Sequence, residues 1–315
     1  MLVHSFATDG YYDFAIGMLV SFKACHGEDI PFLLHTMDYT DDMIKRLKGI
    51  YKNLTVKNSE TDWQWLIDVS GMKKEALLKG KKKVEKEGTR YGAPAFAHWK
   101  HYISIYERYK RSLLEAFDFV GEGNSFLHLD IDLYINRKLD SVFNLINLAD
   151  VSLLLRPGAT PEWRKTYGCI LGFTVNKKSR KFLKTYHSVI DTEVFKYIPK
   201  GWGQTALWRA YVIHKKSSIK IAQIPRGWID KGFRKNALIF SANIGRPKKE
   251  TALRYKVMAQ TGQKVSTEQA AKKEKPIRVP TRRKGLVRER VVKKRNIGKT
   301  TSLRQMIGKK GKVMR

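Results

Sequence analysis

Residues 126–135 read Phe-Leu-His-Leu-Asp-Ile-Asp-Leu-Tyr-Ile, an apolar run interrupted by two carboxylates two residues apart. In a strand, side chains alternate between faces. Leu127, Leu129, Ile131 and Leu133 therefore fall on one face, and His128, Asp130 and Asp132 on the other. The apolar set predicts a buried strand, and carboxylates at the end of such a strand need a compensating partner. One natural partner is a hard divalent cation shared with substrate phosphates, since such ions take few protein ligands. Two aspartates opening a turn after a strand is the plainer explanation, and the surrounding sequence has to decide between them.

That surrounding sequence alternates. Residues 1–7 predict a strand ending at the turn signal Thr8-Asp9-Gly10, and 12–25 an apolar helix. Residues 31–36 and 54–56 predict two more strands, with a helix capped by Thr40 running to Tyr51 between them. Trp99, Tyr102, Tyr106, Tyr109, Leu113 and Phe117 recur at helical spacing, predicting a helix over 95–117. Beyond the 126–133 strand, strands are expected at 151–155, 169–175, 219–224 and 237–240, with helices at 178–190 and 204–214. Strands alternating with helices argue an α/β domain with a mainly parallel sheet. Ligands of such sheets gather at the carboxyl ends of the strands, where Thr8-Asp9 and Asp130-Ile131-Asp132 fall.

The chain of 315 residues carries a net charge of +33, unevenly placed. From Arg246 to Arg315 there are 24 Lys and Arg against four Glu, and Tyr255 is the one aromatic. Low hydrophobicity with high like charge disfavours a packed core. The expected organisation is a folded domain over 1–250 and a basic, largely disordered or extended arm over 251–315. A second basic cluster lies between Lys73 and Lys86. Together they favour a polyanionic partner, nucleic acid before anionic membrane. Cys25 and Cys169 form no C-x-x-C pair, the start has no signal-peptide pattern, and no apolar run approaches a membrane span of ~18 residues. A cytoplasmic location is expected.

The order of these elements resembles the GT-A nucleotide-sugar glycosyltransferases over roughly residues 1–245. The segment 126–140, closing on Leu139-Asp140, is similar to the family's strand and D-x-D. Residues 167–176 resemble an apolar strand with a glycine, here Gly172, facing the acceptor. Gly201-Trp202-Gly203-Gln204 resembles the Asp-Gln helix start, with Gly203 where Asp is usual. Residues 237–249 resemble the closing strand and loop, with Ser241 in place of a metal-binding His and Lys248 or Lys249 at a phosphate-binding position.

The resemblance implies a mixed, mainly parallel α/β sheet with flanking helices, a nucleotide-sugar donor, and a manganese or magnesium ion held by Asp130 and Asp132. His128 is then a ligand or a buried hydrogen-bonded neighbour of one. Thr8, Tyr12, Asp130, Asp132 and Lys248 are the implied donor contacts, and Gly172, Trp202 and Gln204 lie on the acceptor side. Asp191, Glu193 and Asp230 are equivalent candidates for a base, so none is assigned. The basic arm points to a nucleic-acid acceptor, in particular a hydroxymethylated DNA base such as virus-encoded enzymes glycosylate. Trp202, Trp208 and Trp228 are available to line a pocket for an extruded base. The alternatives are an enzyme acting on envelope carbohydrate or protein, and a degenerate GT-A domain that only binds nucleic acid.

Overall fold

The computed structural model describes residues 1–70, 95–191, 202–230 and 236–241. The Lys73 to Lys86 cluster, Glu193, Gly201, Lys248, Lys249 and the basic segment 251–315 lie outside them.

In chain order the elements are β1 (Leu2–Thr8), α1 (Tyr12–His26), β2 (Phe32–Met37), α2 (Asp41–Ile50), β3 (Leu54–Ser59), α3 (Trp63–Ser70) and α4 (Ala95–Val120). They continue with β4 (Ser125–Leu129), β5 (Leu133–Ile135), α5 (Asp140–Asn147), β6 (Val151–Leu155), β7 (Thr166–Thr174), α6 (Lys177–Val189) and α7 (Trp202–His214). The short strands β8 (Ile221–Gln223), β9 (Ile229–Asp230) and β10 (Ile239–Ser241) close the described chain. Local chemistry sets several boundaries. Thr40 accepts the Met43 amide at the start of α2, and Asn176 forms a reciprocal capping box with Ser179 at the start of α6.

Seven strands form one sheet in the order β3-β2-β1-β4-β7-β6-β8, and β5-β10-β9 form a second. In the large sheet only β7 runs against its neighbours, so the sheet is mixed and mainly parallel. The two-residue period divides the strands between two cores. Val3, Phe32, Leu34, Leu127 and Leu129 pack with α1, α2 and α5; Leu2, Leu33, Phe126, Leu171 and Phe173 pack with α4, α6 and α7. Helices thus cover both faces, as burial of a central parallel sheet requires. No described helix is long and apolar enough to cross a membrane.

Gly172 belongs to this packing. A Cβ there would lie 2.3 Å from Cγ1 of Ile146 on α5 and 3.1 Å from Cβ of Ser152 on β6. Its surroundings are a helix seated on the sheet, not the open face that the acceptor-side expectation requires, and glycine is there because α5 comes so close. Gly172→Ala is expected to cost about 1–3 kcal/mol through overpacking. The thermal midpoint should fall, and adding Ile146→Ala should make the two losses less than additive. Fully additive losses would contradict the contact.

Candidate active site

The parallel strands β1, β2 and β4 end on one edge of the large sheet, at Thr8, Met37 and Leu129. There the chain leaves the sheet. The Asp130 amide donates to the Cys169 carbonyl of β7 at 2.9 Å, and the Leu133 amide donates back to the Asp130 carbonyl at 3.3 Å. Residues 130–132 are therefore a turn joining the two sheets, and the expectation of one strand through 126–133 is corrected. Ile131 and Leu133 stay in the core as the alternation requires. The backbone turns because carboxylates inside a sheet have no adequate partner, while β5 finds its own partner in β10.

The turn presents Asp130 outward, its side chain 46% exposed, with Oδ1 3.6 Å from Nε2 of the buried His128. Asp132 is half-buried. Register pairs Ser241 with Leu133, the residue after Asp132. Among the described residues no three His, Cys, Asp or Glu side chains cluster as a metal cage. The donor set fits instead a hard cation taking one or two carboxylates, with its remaining positions left to phosphate oxygens and water. His128 is not part of that set. Its Nδ1 is bonded to His4 at 2.9 Å and its Nε2 to the Tyr109 hydroxyl at 3.2 Å, which makes it the buried neighbour.

Thr8 ends β1 and leads into a 3-10 turn at Asp9–Tyr11, after which Tyr12 opens α1. The hydroxyls of Tyr12 and Tyr39 are both buried with no hydrogen-bond partner among the described residues, and their rings meet edge to face at 5.8 Å. Burial, then Asp9, Tyr12 and Asp13, push the Tyr39 phenol far up, so it remains a neutral donor. Buried polar groups are rarely left unpaired, so two together mark a place where a polar ligand fits. Tyr39 was missed in sequence. The available signal was its place two residues beyond the carboxyl end of β2, on the same edge as Thr8.

Gln204 is brought to the same region from α7. Its carbonyl accepts the Thr166 hydroxyl at 2.7 Å, and a Cβ at Gly168 would lie 3.9 Å from its Cγ. Gly168 precedes the Cys169 that anchors the Asp130 amide, so Gly168, not Gly172, is the glycine of β7 facing Gln204. At Gly203 the amide donates to the Tyr106 hydroxyl at 3.0 Å, and a Cβ would lie 2.4 Å from that oxygen. The space an acidic side chain would use is filled by tyrosine. Trp202 starts α7, and its side chain lies outside the described atoms.

The remaining candidates have other occupations. Asp191 pairs with Lys110, which also bonds Glu107 at 2.6 Å. Trp208 meets Tyr211 in a tilted ring contact and lies under Lys165, whereas Trp228 packs against the core containing α1. Asp230 sits half-buried in β9.

No family model and no curated protein sequence matches this chain. Solved structures do. The galactosyltransferase LgtC, determined with donor and acceptor sugar analogues, matches with a TM-score of 0.53 at 12% identity, over 86% of this chain and 100% of that one. The glycosyltransferase GlyE of Streptococcus pneumoniae TIGR4 matches with a TM-score of 0.50 at 12% identity, over 82% of this chain and 63% of that one. The chain thus spans less than two thirds of GlyE. At such identity the likeness establishes the fold, which is the GT-A glycosyltransferase fold with its mainly parallel central sheet and flanking helices.

Proposed function

We propose that this protein is a metal-dependent glycosyltransferase that moves a sugar from a nucleotide-sugar donor to an acceptor hydroxyl. The observation that carries the reading is the Asp130-Ile131-Asp132 turn, set at the carboxyl edge of a GT-A sheet with the Asp130 carboxylate facing outward. Two buried tyrosine hydroxyls, Tyr12 and Tyr39, near the ends of the neighbouring strands and without partners among the described residues, support a polar nucleoside there. Thr8 and Lys248 are further proposed donor contacts. Trp202 and Gln204 are proposed on the acceptor side.

As the glycosidic bond breaks, negative charge develops on the departing diphosphate. A bound divalent cation would supply Lewis-acid stabilisation of that charge. The carboxylates of Asp130 and Asp132 would hold the cation, and Tyr12 and Tyr39 would orient the nucleoside by hydrogen bonds. Gln204, whose Cγ lies against Gly168, is the proposed acceptor-side contact.

The acceptor we propose is nucleic acid, in particular duplex DNA with a hydroxymethylated pyrimidine. Its support is charge alone: 24 basic residues between Arg246 and Arg315 against four acidic ones, plus the Lys73 to Lys86 cluster. A second reading is a GT-A domain reduced to nucleic-acid binding. The Tyr106 hydroxyl at Gly203, where the resembling enzymes have an acid, favours it.

The test incubates the full chain with a panel of nucleotide sugars and Mn²⁺ or Mg²⁺. Matched duplexes with and without hydroxymethylated pyrimidines serve as acceptors. Release of nucleoside diphosphate with sugar appearing on the modified duplex is expected. Release without transfer to any DNA would retain the enzyme and refute the acceptor. Neither release nor transfer, with DNA still bound, would leave the binding-only reading.

A further inference from the structure

The carboxyl edge of the large sheet carries a second polar recess besides the aspartate turn. Its volume is about 240 Å³, and Leu154, Arg156, Tyr167, Arg226 and Ile229 line it. Strand β6 runs parallel to β8, so Arg156, directly after β6, and Arg226, beyond the end of β8, leave the sheet on the same side. The antiparallel β7 begins there, with Thr166 and Tyr167. The Arg156 amide donates to the Lys165 carbonyl at 2.6 Å, which closes the 156–165 loop. Tyr167 shares β7 with Cys169, whose carbonyl takes the Asp130 amide at 2.9 Å, so one strand supports both the recess and the aspartate turn.

Uncharged groups position both guanidiniums. Arg156 donates from Nη1 to the Tyr167 hydroxyl and lies over that ring, its Cζ 4.8 Å from the centroid. Arg226 donates from Nε to the Leu155 carbonyl at 3.1 Å. Among the described residues neither has a carboxylate partner, whereas Arg180 pairs with Asp118 and Arg209 with Glu162. Glu162 is the single acid of the 156–165 loop, and Arg209 takes its two oxygens at 3.3 and 3.2 Å. Asp230 follows Ile229 but does not line the recess. A guanidinium has five N–H donors, and each of these positioning bonds uses one. Two like charges facing one recess repel, and an anion between them would reverse that term. The planar fork of arginine suits phosphate in particular, because it can donate two parallel bonds. The recess is smaller than the roughly 300–1,000 Å³ that encloses a whole small ligand, so it suits one charged group of a larger molecule.

We propose that Arg156 and Arg226 form a phosphate-binding site at the carboxyl edge of the sheet, and that it takes a phosphodiester of the nucleic-acid acceptor. The anion site stands on the two arginines, and its assignment to an acceptor strand rests on the nucleic-acid reading above. The same loop continues the positive surface outside the recess. Arg164 lies over the Trp163 ring at 4.9 Å, and Lys165 over the Trp208 ring at 4.9 Å. A strand with one phosphate in the recess would thus pass basic groups backed by aromatic rings, a combination that suits a nucleic-acid backbone and its bases. Phosphate contacts fix register and orientation without reading sequence. Arg156 and Arg226 are accordingly positioning residues, which set the strand against the Asp130 to Asp132 turn and touch none of the reacting atoms.

Phenylglyoxal modification of the full chain, mapped by peptide mass spectrometry, tests the site without any assay of activity. With inorganic phosphate at about ten times its dissociation constant, Arg156 and Arg226 should react about 10-fold more slowly. Arg180, already paired with Asp118 at 3.1 Å, should react as before. No protection of Arg156 and Arg226 by phosphate would overturn the site. Salt dependence tests the source. The full chain with Arg156→Gln and Arg226→Gln should bind a short DNA duplex with a log–log salt slope shallower by about 0.9, the share of one phosphate. Arg156→Lys with Arg226→Lys should restore the slope, a rescue by charge that a packing role would not give. Arg226→Gln alone, at an exposed position, should shift the slope the same way with the wild-type thermal midpoint, so a misfolded double variant does not end the test. Slopes equal to wild type in these variants would overturn the phosphodiester assignment, even with protection by phosphate intact. Failure of the acceptor reading has a different signature: wild type would transfer sugar to no DNA, while protection and slope change would both persist.

Discussion

Asp132→Ala is expected to lower sugar transfer at least a thousandfold, roughly 4 kcal/mol of lost transition-state stabilisation. Folding should be unaffected, because the turn is held by backbone bonds, Asp130 to Cys169 and Leu133 to Asp130, that no side chain supplies. Asp132→Asn keeps the shape and loses the charge, and it should be nearly as damaging if the carboxylate holds a cation. Chelation of divalent metal should reproduce the loss in wild type and change little in the variants. The measurement is nucleoside diphosphate release with and without EDTA, alongside thermal unfolding. Activity in EDTA equal to that with metal would remove the basis for both aspartates' roles.

What the sequence disclosed was local, and what it withheld was assembled across strands. Strand 151–155 matches to the residue and Thr40 caps as expected, because each depends on neighbours within a few positions. The two-residue alternation also assigned Leu127, Leu129, Ile131 and Leu133 to a single core. It did not reveal that pairing stops at Leu129, since a strand and a turn that keep the same residues inward have the same apolar pattern. Helix α5 was passed over although Val142, Phe143 and Ile146 have helical spacing, its eight residues being too few for a periodic signal. The glycines show the limit most clearly. Gly168 and Gly172 are indistinguishable in composition, and only the positions of Gln204 and Ile146 show which faces α7 and which lies under α5. The buried contact of His4 with His128 at 2.9 Å and with His35 at 3.0 Å was equally hidden. Each histidine is an ordinary polar residue in its own strand, and only the order β2-β1-β4 makes them neighbours.

Removing residues 261–315 is expected to separate attraction from chemistry. The segment is rich in Lys and Arg and has no aromatic side chain, so its composition offers charge and little that would dock in a core. If that charge neutralises DNA phosphates, log affinity should fall with log salt at a slope of about −0.9 per phosphate in the full chain. The truncated chain should show a much flatter slope and, at low salt, an affinity lower by about 10³-fold or more, as expected when several phosphate contacts are lost. Its donor hydrolysis without acceptor should match the full chain, because Asp130, Asp132, Tyr12 and Tyr39 all lie before residue 241. The apparent KM for a DNA acceptor should rise while kcat holds, the pattern of lost uniform binding. A segment directed at anionic lipid gives the opposite result: vesicles of anionic lipid would bind the full chain and not the truncation, and DNA would bind both equally. A slope unchanged by truncation would move the search for the polyanion contact to the Lys73 to Lys86 cluster, which the truncated chain retains.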